Sequence, residues 1–349
     1  MPVATRQQSR SIGKQPAWVK LKDEQLLDVP IGDLNLKLEE TPLVEMRDQL
    51  YRELAQRGLK LKPHCWLSDD WFSPDGIPGI ALPFYMAHPR LMRLERKMML
   101  EVEGGTKSWC MRILRHESGH AIDTAFRLHR RKNYKTIFGN YSDPYPEYYK
   151  PKPRSKKYVL HLEPWYAQSH PAEDFAETFA VWLTPRSRWR KNYEGWGALK
   201  KVEFVDDLMN SIKGKPTKVK SRVKVDPAHR IEKTLREHYT ERHERYRLDE
   251  PSVYDDDLAK LFPQIPKSRR SKSAAAFLQK NRAEFSRTIA QWTGEYRYNI
   301  NQVLRELIDR CRILKLRVAG DEEELKQNTL IMLTVHTMNY LHGAHRVAL

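Results

Sequence analysis

The residues most able to do chemistry in this chain are His116-Glu117-Ser118-Gly119-His120. Two histidines four positions apart on a helix share one face, about 6 Å apart along the axis. Both imidazoles can therefore reach one Zn²⁺ from the same side. The glutamate after the first histidine is turned about 100° away, toward the ion's open position, where it can take a proton from bound water. This is the HExxH arrangement of zinc-dependent hydrolases. Trp109, Ile113, Ala121 and Ile122 make the carrier a half-buried helix. Gly119 costs about 1 kcal/mol relative to alanine in a helix interior, which points to close approach by another element.

A third ligand decides the class. Position 126 is Phe126, where a metzincin would need a histidine, so that class is excluded. The remaining source is a carboxylate or histidine on a second helix, and Pro171-Ala172-Glu173-Asp174-Phe175-Ala176-Glu177-Thr178-Phe179-Ala180 is the best candidate. Glu173 and Glu177 share one face, Phe175 and Phe179 the adjacent one, and Ala176 and Ala180 keep a strip small for close packing. The plainer reading of this segment is a surface ion-pair face, but a solvated helix has no use for so much apolar surface beside its carboxylates. His161 and His170 are alternative ligands, although a lone histidine is more often structural, and His129 reads as a surface residue in a basic run.

His116-Glu117-Ser118-Gly119-His120-Ala121-Ile122-Asp123 followed by Glu173-Asp174-Phe175-Ala176-Glu177-Thr178-Phe179 resembles the gluzincin metallopeptidases related to the catalytic domain of anthrax lethal factor. It is more similar still to a bacterial family described as zinc-binding metallopeptidases. The resemblance implies an α+β, zincin-like domain with a small sheet packed on the active-site helices. It implies one catalytic Zn²⁺ held by His116, His120 and Glu173, with Glu117 as general base. A tyrosine seven residues before the ligand glutamate assists catalysis in lethal factor, and here that position is Tyr166, which would donate to the oxyanion. On this reading Glu177 holds the outer ring nitrogen of a zinc histidine, and Asp123 is a second candidate for that supporting role. The match covers roughly residues 107–183, with a less diagnostic likeness over 65–103 and nothing transferable beyond 205. The gap from His120 to Glu173 is longer than in lethal factor, and the excess falls in a Tyr/Pro/Lys-rich loop.

The elements that must position these residues follow from periodicity and punctuation. Leu43, Met46, Leu50 and Leu54 give one helical face after Thr41-Pro42, closed by Gly58. Residues 59–67 read as a strand. Two prolines allow Ile77–Phe84 to be an edge strand, which could bind an extended peptide, or else a packed loop. A helix is expected from about Pro89, the HExxH helix over 106–129, a loop over 133–158 long enough for a lid, and the glutamate helix over 171–183. A basic linker follows, then a helix over 227–246 and further helices. The last of these opens at Asp321 and Glu324 and carries Ile331, Val335 and Met338 on one stripe. The expected organisation is a flexible basic tail over 1–29, a catalytic domain over 30–205, and a linker with a mainly helical region over 206–349.

With 40% hydrophobic and 31% charged residues in 349, wholesale disorder is not expected. No apolar run reaches the roughly eighteen residues of a membrane helix, and the polar N-terminus lacks a signal-peptide core. Three distant cysteines, Cys65, Cys110 and Cys311, read as reduced thiols of a cytosolic protein. The net charge of +17 comes from dispersed runs at 127–135, 150–157, 213–224 and 267–272. It fits either a basic surface with no dedicated partner or attraction to polyanions. Two functions follow. One is a cytoplasmic zinc peptidase acting on a peptide or protein, acidic ones included. The other is a binding protein for nucleic acid or acidic protein, with zinc in a structural role. Structural zinc sites usually carry four, cysteine-rich ligands. Cys110 is the one cysteine near the motif and lies roughly opposite His116 on the helix, so the peptidase reading is favoured.

Overall fold

A computed structural model describes residues 15–99, 101–146, 148–149, 152, 155–162, 165–245, 254–264, 272–295, 297–342 and 347–348. In chain order its helices are α1 (Asp23–Leu27), α2 (Leu43–Gln56), α3 (Pro89–Met99), α4 (Lys107–Phe126), α5 (Tyr134–Phe138), α6 (Pro171–Leu183), α7 (Trp189–Asn192) and α8 (Gly197–Ile212). They continue with α9 (Leu235–Arg245), α10 (Asp255–Leu261), α11 (Ala274–Thr293), α12 (Arg297–Ile313) and α13 (Glu322–His342). The strands are β1 (His64–Ser68), β2 (Gly79–Pro83), β3 (Tyr148–Tyr149) and β4 (Val347–Ala348). The fold is thus mostly helical with a small parallel sheet, β1 on β2 in the register Trp66 to Ala81, and a short antiparallel pair of β3 with β4.

The first core is built around α4 and α6. From Cys110 to Phe126 every residue is buried except the half-exposed Arg112 and His120, and from Ala172 to Leu183 every residue is buried. A helix covered on all sides cannot be a surface ion-pair face, so the plainer reading of α6 does not hold. The two helices touch where both are small: a Cβ placed on Gly119 would lie 2.7 Å from the Ala176 Cα. The close approach foretold by Gly119 is therefore to the strip of alanines on α6. Thr106 caps α4 by accepting from the Trp109 amide at 3.2 Å, and Arg127 closes it in the left-handed region at φ 53°. His170 caps α6: its Nδ1 accepts from the Ala172 amide at 3.1 Å, ahead of Pro171 in the first turn.

Two polar anchors, one buried and one part-buried, fix the helices. Arg115 on α4 makes a two-pronged pair with Glu53 on α2, at 2.7 and 2.8 Å. Arg57 donates to the Trp182 carbonyl at the end of α6 at 2.6 Å and lies over the Trp182 ring.

Several expected boundaries shift. β2 is an edge of the two-stranded sheet, as the prolines allowed, but it is buried along its length. β1 pairs with one side, and Ala81 donates to the Phe72 carbonyl on the other. Burial of β2, with this bridge at Ala81, covers the face that an extended peptide would need. Part of the presumed basic tail is structured, with Trp18, Leu26 and Leu27 buried in the first core, while residues 1–14 lie outside the described set. The division expected after residue 205 falls inside α8. The first core runs on to Tyr239 because Ala228, Leu235 and Tyr239 pack into it. The basic segment after α8 is held rather than free. His64, Trp66 and Ser68 of β1 bond the carbonyls of Val223, Val225 and Asp226 at 2.9, 2.8 and 2.6 Å.

A second core, formed by α10 to α13, buries Phe262, Phe277, Phe285, Leu304, Leu307 and Leu333. Asp321 caps α13 by accepting from the Glu324 amide at 2.9 Å. The stripe on α13 faces out at Ile331 and Val335, which are 62% and 50% exposed, while the neighbouring Met332 and Leu333 are buried. Among the described residues no helix is long and apolar enough to cross a membrane, and the three cysteines are free thiols.

Candidate metal centre

Register along α4 brings His116 and His120 side by side, their rings 4.9 Å apart. Close packing at Gly119 then lets α6 lay Glu173 against both. The three atoms that converge are His116 Nε2, His120 Nε2 and Glu173 Oε2. Their separations are 3.2 Å between the imidazoles, 3.0 Å from His116 to Glu173 and 3.2 Å from His120 to Glu173. Zinc holds such donors at about 2.0–2.2 Å in tetrahedral geometry, which places ligand atoms about 3.3 Å apart. The observed triangle has those dimensions, and the donor set, two imidazoles and a carboxylate, suits Zn²⁺.

The surrounding groups aim these donors. Glu177, one turn beyond Glu173, takes the His116 Nδ1–H on Oε1 at 2.8 Å and the Leu162 amide on Oε2 at 2.7 Å. With Nδ1 so engaged, Nε2 is the nitrogen free to face a metal. Burial favours neutral His116, yet its bonds to Glu173 and Glu177 outweigh that and lift its pKa well above the ordinary histidine value. Burial likewise opposes the Glu173 charge, but the two histidines hold the carboxyl well below its usual range. An excess of carboxylate around two imidazoles is a cation site in electrostatic terms.

Glu117 is buried, and burial pushes its pKa up despite the neighbouring His116 and His120. Tyr166 lies over His116, ring centres 5.5 Å apart. It follows Trp165, whose φ of 64° turns the chain sharply at that point. A bulky residue in the left-handed region is strained, and this turn directs the Tyr166 ring onto His116.

Other residues singled out in the sequence lie elsewhere. Asp123 does not touch a metal-facing histidine. It accepts from the His129 amide at 2.6 Å and pairs with His129 Nδ1 at 3.1 Å, securing the turn after α4. His129 is correspondingly no plain surface residue, since its ring also stacks on Tyr141 at 4.3 Å. His161 donates to the Arg112 carbonyl at 2.9 Å, and burial pushes its pKa down to about 4. His170 is the cap of α6, with Nε2–H donating to the Asp143 carbonyl at 2.8 Å. Neither histidine belongs to the converging group.

Sequence reasoning missed Tyr145. It stands in the long loop between the two ligand helices, and its hydroxyl donates to Glu173 Oε1 at 2.7 Å. The loop's length marks it as functional ground, but no spacing ties position 145 to position 173.

Residues 110–193 match a family model described as "Putative zinc-binding metallo-peptidase". No curated protein and no solved structure matches the chain. The matched span contains His116, Glu117, His120, Tyr166, Glu173 and Glu177. The segment that builds the candidate metal centre is therefore similar to that family.

Proposed function

We propose that the protein is a zinc-dependent metallopeptidase of the gluzincin type with a zincin-like catalytic domain, hydrolysing peptide bonds of a polypeptide substrate. The observation that carries this reading is the triangle of His116, His120 and Glu173 donor atoms, sized for a tetrahedral ion, with the buried carboxylate of Glu117 beside it. Zinc bound there would supply Lewis-acid activation of a water molecule and of the scissile carbonyl. Glu117 acts as the base that takes a proton from the attacking water and delivers it to the departing amine. Tyr166, held over His116 by the turn at Trp165, donates a hydrogen bond to the developing oxyanion. Glu177 keeps His116 in the tautomer that presents Nε2.

A structural or regulatory zinc in a basic binding protein is the competing reading. A closed structural site would use four protein ligands, whereas the converging group among the described residues has three members. The net charge of +17 makes acidic polypeptides the first substrates to screen. The free thiols fit a reducing cytoplasm.

The test is Glu117→Gln, which preserves shape and removes the base. Zinc content by metal analysis is expected to stay at one ion per chain, while cleavage of a peptide library falls by at least about 10²-fold. Wild-type cleavage by the variant would overturn the assignment.

A further inference from the structure

The Glu173 carboxylate divides its two oxygens between different partners. Oε2 faces both imidazoles, at 3.0 and 3.2 Å, and Oε1 faces away and accepts the Tyr145 hydroxyl at 2.7 Å. A carboxylate whose second oxygen is free can swing it onto the same metal as a two-oxygen ligand, crowding the coordination position that chemistry needs. A donor on Oε1 opposes that swing.

Tyr145 is itself held for this contact. Its ring lies flat on His170, with centroids 3.9 Å apart and planes 18° apart. His170 is locked at both nitrogens, to the Ala172 amide in the first turn of α6 and to the Asp143 carbonyl of the loop. The near end of the loop is tied by Asn140 to the Asp143 carboxylate at 2.6 Å and by Tyr141 to Asp75 at 2.7 Å. The residue is 51% exposed, so it is not placed to fill a core. A half-exposed tyrosine whose hydroxyl lands on a buried carboxylate is placed for that bond.

We propose that Tyr145 is the positioning residue that fixes Glu173 as a one-oxygen ligand and thereby sets the affinity of the metal site. This rests on the reading of His116, His120 and Glu173 as a zinc site. A supporting hydrogen bond to a metal ligand is worth about 10–100-fold in metal affinity. In the full chain, Tyr145→Phe removes the hydroxyl and keeps the ring on His170, whereas Tyr145→Ala removes both. Zinc affinity is measured by competition with a chromophoric chelator, alongside the melting temperature of the metal-free protein. The expected result is a zinc Kd raised roughly 10–100-fold in Tyr145→Phe, with metal-free melting unchanged. A Tyr145→Phe Kd within about twofold of wild type overturns the proposal, and does so also if Tyr145→Ala is weakened, because the ring alone would then be responsible. Wild-type protein that takes up no zinc would instead overturn the underlying metal-site reading, a separate and distinguishable failure.

Discussion

Replacing Gly119 with alanine sets two opposed effects against each other. In an unconstrained helix interior the change stabilises by about 1 kcal/mol through helix propensity. Here the new Cβ would stand 2.7 Å from the Ala176 Cα, 3.1 Å from its carbonyl oxygen and 3.2 Å from its Cβ. All three are backbone or backbone-attached atoms of a helix buried on every side, so no flexible side chain can turn aside. Ordinary contact begins near 3.4 Å, so α4 and α6 must separate by roughly 0.7 Å at this point. Overpacking of this kind costs about 1–3 kcal/mol, which exceeds the propensity gain. The same displacement falls between the two helices that hold the ligands, within one turn of His116, His120 and Glu173. A shift beyond about 0.5 Å degrades a preorganised site, so zinc affinity should fall as well, on the order of 10-fold or more. Urea unfolding of the metal-free protein gives the first quantity and chelator competition the second. A Gly119→Ala variant that is more stable than wild type by about 1 kcal/mol, with unaltered zinc affinity, would refute the claim that this contact sets the helix spacing.

Two further outcomes concern the frame around the site. Arg115 and Glu53 are a buried two-pronged pair joining α4 to α2, so Arg115→Ala should cost about 3–5 kcal/mol by leaving Glu53 uncompensated, while Arg115→Met with Glu53→Leu should recover most of it. Equal losses in the single and double variants by urea titration would contradict this. Burial lifts the Glu95 carboxyl to about 7 despite its 3.0 Å pair with Arg242. Folded protein thus holds this proton more tightly than unfolded chain, so its contribution is complete below about pH 4.5 and disappears as pH rises through 7. Glu95→Gln should match wild type at pH 4.5 and exceed it by on the order of 3 kcal/mol at pH 8. A difference that stays flat across that range would show that Glu95 does not titrate in this way.

What was legible in the sequence was encoded at helical spacing. His116 with His120 is one such pair, and Glu173 with Glu177 is another. Both could be placed on a face before any contact was known. Gly119 was legible as a close approach because glycine in a helix interior has a cost that something must offset, and Ala176 with Ala180 was legible as the small surface to receive it. Their meeting depends on a contact across more than fifty residues, yet each partner carries its own local signature. Asp123 had the right spacing from His120 and still went elsewhere. His129, six residues on, offered an amide and an imidazole at the turn after α4, and a carboxylate takes the nearest pair of donors. The outward stripe of Ile331 and Val335 shows a related limit. Periodicity reports that a helix has an apolar face, but α13 carries Met332 and Leu333 beside that face, and packing chose those.

The burial of β2 and the contact of Tyr145 were illegible for one cause. Whether the edge strand β2 is covered depends on what packs over it, and whether Tyr145 matters depends on where its loop lands. Neither is written in the spacing of the residues concerned. The long stretch between α4 and α6 looks in sequence like a loop of open purpose. In the structure Tyr145 reaches Glu173 on α6, and the Asp143 carbonyl is bonded to His170, the cap of the same helix. The segment at Asp143 and Tyr145 is thus tied to α6 at both Glu173 and His170, so displacing it would loosen both contacts. On the proposed reading, a substrate that displaced these residues would also alter the geometry at Glu173.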